Sequence, residues 1–329
     1  MSLGTEKPEH QTEQAAPIVG RLGAGRSTKA EPLIRRVFYS PSELRAGWRL
    51  CIFIVLVFTL IKSGNLLVRD LLHGADHTIL YLAGGVLDFL VLVFVSWMMG
   101  RIEGRTIADY GLPRRSMFRA QFWQGALLGF AIITCLLVVM RLVGSFYFGR
   151  LALHGVEIWK WGIAYALVFS LVALLEEFGA RGYALFTLSN GIGFWPAAII
   201  SAVLFSYAHH SNAGEDWIGL VNVGLFGLLA CLLLRRTGNL WMPIGLHMAF
   251  DWGETFFYGV ANSGEVYPGR LFNSSSSGSA WLSGGTVGPE GSVLYTFLLV
   301  VAWLICARWL REIKYPRPAP FQNSLSNLQ

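Results

Sequence analysis

The chain has 329 residues, of which 54% are hydrophobic and only 14% are charged, with a formal net charge of +6. Soluble proteins carry about 25% charged residues, so this composition cannot cover a water-facing surface; a pair of soluble domains is excluded, and most of the exterior must face lipid. The basic residues are scattered between apolar runs rather than gathered on one face, which argues against a nucleic-acid partner and fits the loop charge of a membrane protein.

Residues 1–45 are polar, with no periodic apolar face, and are expected to form a disordered cytoplasmic tail. The first apolar run begins near Trp48, so the basic–apolar–small order of a signal peptide is not expected there. Eight apolar runs follow, near 48–68, 78–99, 122–143, 161–188, 194–211, 217–234, 240–258 and 291–310, each close to the roughly 20 residues that cross a bilayer as helix. The expected class is all-α: a polytopic transmembrane domain of about eight helices over 46–312, with a C-terminal tail over 313–329. The fourth run is long enough to pass beyond the hydrocarbon; the fifth and sixth are short.

Loop charge gives an orientation. With the N-terminus inside, inner segments hold Lys29, Arg35, Arg36, Arg45 and Arg49, then Arg101, Arg105, Arg114, Arg115 and Arg119, then Arg235, Arg236, Arg308, Arg311, Lys314 and Arg317. Outer segments hold only Lys62, Arg69, Arg141, Arg150, Lys160 and Arg270. The positive-inside rule predicts both termini on the cytoplasmic side, with a bacterial inner membrane as the expected location. The inner loop 100–121 is expected along the headgroups, and the outer loop 259–290, rich in Ser and Gly, reads as a flexible linker. Cys51, Cys135, Cys231 and Cys306 lie in separate apolar runs and read as small apolar core residues, neither disulfides nor a zinc–cysteine site.

An ionisable group inside a membrane helix costs about 2.5–3.5 kcal/mol and marks function by default. Such groups concentrate in runs four, five and seven. In the fourth, Glu176 and Glu177 project about 100° apart, so they cannot share one role, and Glu177 stands four residues before Arg181, the favourable order for a helical ion pair. That leaves the charge of Glu176 free to act on a water; a structural cluster near the headgroups is the alternative. The fifth run ends with Phe205 one turn before His209, followed by His210, which reads as interfacial. In the seventh, His247 and Asp251 share a face and need an interior cavity or a partner helix. Together these are the parts of a water-activating site: Glu176 as general base, His209 holding the same water, and His247 and Asp251 donating to an oxyanion. Asp251 donates only if protonated; otherwise it orients His247. Glu176, His209 and His247 could equally hold Zn²⁺ with one open position, and the residues leave that choice open. Counting the helical rise from the inner ends puts His209 a turn or two further out than the other two. Asp88 is expected to pair with a neighbouring helix, Glu254 to be either a supporting partner or a hydrated acid, and Trp195, Trp217, Trp241 and Trp252 to belong mostly to interfacial belts.

The ordered set Glu176-Glu177-x3-Arg181, Phe205-x3-His209 and His247-x3-Asp251, with Thr237-Gly238-Asn239-Leu240-Trp241-Met242-Pro243 leading into the third motif, resembles the CPBP family of CAAX-protease and bacteriocin-processing intramembrane endopeptidases, also called Abi. The resemblance is strong over about 161–258. It implies an eight-helix fold with a cavity reached from the cytosolic side. It also implies hydrolysis of a peptide bond in a membrane-associated or lipid-modified protein or peptide. Glu176 and His209 would activate water, His247 and Asp251 would form the oxyanion side, and Glu177 and Arg181 would hold the site together. The competing classes are a proton- or ion-coupled transporter, and a catalytically silent scaffold. Only Pro196 and Pro243 offer the helix interruptions common in transporters, and both begin runs rather than break them.

Overall fold

A computed structural model describes residues 44–316. Most of both expected tails lies outside the described residues, as do the inner-side charges Lys29, Arg35, Arg36 and Arg317. The helices are α1 (Ala46–Leu71), α2 (His77–Glu103), α3 (Ala120–Leu142), α4 (Val156–Arg181), α5 (Tyr183–Ile192), α6 (Phe194–Ala208), α7 (Trp217–Thr237), α8 (Trp241–Trp252), the single turn α9 (Ala280–Ser283) and α10 (Val293–Trp309). A two-residue antiparallel ladder pairs β1 (Phe146–Tyr147) with β2 (Ser275–Ser276), Phe146 opposite Ser276. The class is therefore all-α, and each of the eight apolar runs lies on helix.

Five helical segments are long and apolar enough to cross a membrane: α1, most of α2, α3, the α4–α5 stretch and α7. The helices α6 and α10 are apolar but shorter. The eighth, α8, is regular for only 12 residues before its winding loosens to a π-helix over Gly253–Tyr258. Every residue from Trp241 to Asp251 is buried, His247 and Asp251 included, so α8 has no solvent-facing side and sits in the core.

Its position is set by backbone contact. A Cβ on Gly125 would lie 2.0 Å from the Met242 carbonyl oxygen, one on Gly129 2.0 Å from that of Leu246, and one on Gly245 2.0 Å from that of Phe122. Glycines one turn apart on α3 thus admit α8, and the α8 glycine between them admits α3. This is the small-residue packing that holds helices together where lipid removes the hydrophobic drive.

Run four is not one continuous helix. It breaks at Gly182, where a Cβ would come 2.4 Å from the Phe178 carbonyl oxygen, and the chain turns off as α5. Trp241 does not sit in an interfacial belt: it is 2% exposed and its indole N–H donates to the Pro113 carbonyl at 3.0 Å, tying the inner loop to α8. Trp217 is exposed, whereas Trp252 is half-buried and donates to the Gly162 carbonyl. The cysteines divide: Cys231 and Cys306 are buried, but Cys51 and Cys135 are exposed, and all four are free thiols.

The outer loop 259–290 is folded, contrary to its linker-like composition. Leu271 N–H donates to Phe256, Ala152 to Leu271, Asn273 to Arg150 and Gly264 to Val287. The glycines act as tight turns: Gly264 has φ +85° and its missing Cβ makes room for the Ala213 backbone. Ser and Gly here serve close backbone approach, and the loop lines a cavity together with residues of the helices.

Candidate active site

Three helices bring the motifs together. On α4, Glu176 and Glu177 point to different surroundings: the Glu177 side chain is 0% exposed, that of Glu176 31%. Arg181 Nη1 stands 2.8 Å from Glu177 Oε1, with both side chains fully buried. The guanidinium carbon lies 4.5 Å from the centre of the Phe205 ring. A cation over an aromatic face gains roughly 2 kcal/mol when desolvated, which helps to offset the burial of this charge. Phe205 also packs on His209, ring centres 4.7 Å apart, so it links the first motif to the second.

Glu177 has a second partner that the spacing did not reveal. Its Oε1 accepts from His247 Nδ1 at 3.0 Å. Glu177, not Asp251, therefore orients the imidazole, and the bond turns Nε2 toward Glu176, 3.7 Å away. Asp251 Oδ2 lies 3.5 Å from the same Nε2. The depth mismatch of His209 is closed by its own ring. His209 caps α6, and the ring folds back so that Nδ1–H donates to the Phe205 carbonyl at 2.8 Å. A carbonyl can only accept, so Nδ1 carries the hydrogen and Nε2 is left to face Glu176 Oε2 at 3.9 Å. One carboxylate oxygen thus stands between two imidazole nitrogens delivered by two other helices.

His210 is outside this arrangement, stacked on Tyr207 at 4.6 Å and exposed. Asp88 pairs with Asn65 of α1, which donates to it at 2.8 Å. Glu254 is not a surface acid; it is fully buried. Among the described residues no three His, Cys, Asp or Glu side chains are grouped closely enough to hold a metal ion.

The site opens into two spaces. A cavity of about 130 Å³ is lined by Glu176, His209, His247 and Asp251 together with Asn262, Ser263, Tyr267 and Glu290 from the outer loop and its closing turn. A larger groove of about 730 Å³ runs from Glu176 and His209 between α1, α5 and α6, over Leu50, Ile54, Leu185, Leu188, Ile200 and Leu204. Tyr81 of α2 lines both. Sequence reasoning missed Tyr81, Asn262, Ser263 and Glu290. A loop rich in Ser and Gly carries no periodicity to aim its side chains, and the one signal available in it is its pair of acids, Glu265 and Glu290.

Residues 158–253 match the family model for Type II CAAX prenyl endopeptidase Rce1-like proteins. They form an Rce1-like domain. The matched stretch runs from α4 to the start of the π-helical segment and contains all three motifs. No curated protein matches the chain. With five helices able to cross a bilayer and a match over residues 158–253 to a membrane protease family, the chain is an integral membrane protein whose environment is lipid.

Proposed function

We propose that this Rce1-like protein is an intramembrane endopeptidase that cleaves a peptide bond in a membrane-associated substrate bearing an apolar, CAAX-like lipid-modified end. The observation that carries the reading is the meeting of Glu176 with the Nε2 atoms of His209 and His247 at 3.9 and 3.7 Å, at the head of an apolar groove. Glu176 is partly exposed and takes a proton from a water that the His209 Nε2 lone pair helps to hold. The Glu177 carboxylate stabilises a protonated His247, whose Nε2–H then faces the developing oxyanion, and Asp251 supports the same atom from the far side. The apolar end of the substrate lies along α5 and α6, and the scissile bond reaches Glu176. Eight crossings with both termini inside, in a bacterial inner membrane, fit the charge distribution.

The test is cleavage of a fluorogenic farnesylated C-terminal peptide in liposomes. Glu176→Ala and His247→Ala should each lower kcat at least a thousandfold while the protein still inserts and keeps its wild-type melting temperature to within a few degrees. Full activity in both variants would dismiss the reading, and proton-coupled uptake by the same liposomes would replace it with transport.

A further inference from the structure

Four carboxyl groups gather at one small cavity and face only two imidazoles. Glu176 and Asp251 line it with His209 and His247, and Glu290 enters from the turn Pro289–Gly291 ahead of α10. Glu254, three residues past Asp251 on the π-helical continuation, lies behind them, 0% exposed and with neither oxygen hydrogen-bonded. Glu177 is left out of the count because Arg181 neutralises it. The two imidazoles stand against Glu176 and Asp251, so Glu254 and Glu290 have no opposite charge beside them, and a bare buried carboxylate costs several kcal/mol.

Of these two, Glu290 is the one that lines the cavity. Its Oε1 is tied down by the Ser263 N–H at 2.6 Å, and the Ser263 side chain is a second partner of the carboxyl. The groups that face it are Asp251 and Glu254 from α8 and its continuation, Glu215 from the turn ahead of α7, and Tyr295 from α10; all are acids and none is a cation. Burial, and then the neighbouring Asp251, push the Glu290 carboxyl up to about 8. The acid thus keeps its proton at pH 7 and loses it as the pH rises through that value.

We propose that Glu290 is the general acid of the hydrolysis, protonating the leaving nitrogen; the proposal rests on the endopeptidase reading above. Water adds to the carbonyl carbon as Glu176 takes one of its protons. When the carbon–nitrogen bond breaks, the nitrogen keeps the bonding pair and takes the Glu290 proton, which yields a carboxylic acid and an amine. One carboxylate becomes neutral as one neutral acid ionises, so the charge of the cavity does not change during turnover. The proton returns from Glu176 to Glu290 through cavity water before the next cycle.

Glu290→Gln tests this, because the amide keeps the oxygen that Ser263 binds and removes the transferable proton. On the farnesylated peptide, kcat should fall 10²- to 10⁴-fold, the usual reach of general acid catalysis. The wild-type loss of rate near pH 8 should vanish in the variant. On a nitrophenyl ester analogue, whose leaving group needs no proton, the deficit should shrink below tenfold. Wild-type kcat with an unchanged alkaline limb, or equal losses on amide and ester, would overturn the assignment. Infrared spectroscopy supplies a readout that does not need turnover: a protonated-carboxyl band present at pH 7, titrating near pH 8 and missing in Glu290→Gln. If the wild type cleaves neither substrate, the endopeptidase reading fails by itself, and persistence of that band in the variant would defeat the Glu290 assignment separately.

Discussion

The two sides of Glu176 and Glu177 are built on opposite principles. On one side, three glycines let α3 and α8 meet backbone to backbone, and Glu177 and Arg181 of α4 are locked with His247 in a buried triad. On the other, α1, α5 and α6 stand apart around a groove of about 730 Å³ lined by apolar side chains. Two neighbouring residues of one helix turn thus divide the labour. The buried acid fixes an imidazole, and its neighbour stays partly exposed beside the groove. Rigidity and access are separated by about 100° of helix rotation, and a site can be precise without being closed.

The sharpest way to break this contrast is to unbalance the buried side. Arg181→Ala leaves Glu177 as a buried carboxylate without its cation, and removing one partner of a buried pair costs about 3–5 kcal/mol. The variant should show the largest fall in melting temperature in the molecule. The double variant Glu177→Gln/Arg181→Met, which removes both charges, should recover much of that stability but none of the activity, because His247 loses its orienting carboxylate. Equal melting temperatures for wild type and Arg181→Ala would show that the pair does not hold the fold.

Next in size is Gly129→Ala. The added methyl would meet the Leu246 carbonyl oxygen at 2.0 Å, and backbone cannot rotate away as a side chain can, so α3 and α8 must separate. Overpacking of this kind costs about 1–3 kcal/mol, and since Leu246 precedes His247, catalysis should fall together with stability. Thermal unfolding in detergent and kcat on the same preparation check both. A stable variant that has lost activity would mean that the contact aims the imidazole without supporting the fold.

The same contrast explains what could be read from the sequence. The buried side was legible, because i,i+4 spacing reports which residues share a helix face: Glu177 with Arg181 and His247 with Asp251 were both visible. The Glu177–His247 bond was not visible, since it joins helices 70 residues apart in sequence and spacing within one helix says nothing about a neighbour. His209 looked misplaced because a rise per residue locates Cα atoms; the ring folds back along α6 to the Phe205 carbonyl. Run four hid its break because Gly182 stands in an apolar stretch where glycine is tolerated. The outer loop was misread most, since its Ser and Gly content resembles a linker, yet the glycines serve turns that carry Asn262, Ser263 and Glu290 to the cavity.

The open side yields the smallest effect and the most discriminating one. Ile200 lines the groove on α6 and is 42% exposed, so Ile200→Trp adds bulk where nothing must move, and surface-type changes of this kind stay within about 0.5 kcal/mol. The melting temperature should hold. KM for a farnesylated peptide should rise about tenfold, equivalent to about 1.4 kcal/mol of lost binding, with kcat unchanged, because the substitution removes binding shared by ground and transition states. A peptide with a shorter lipid should lose less than the farnesylated one, since it fills less of the groove. If KM is the same for both lipids and both proteins, the apolar end does not lie between α5 and α6, and the groove serves only to admit bilayer lipid.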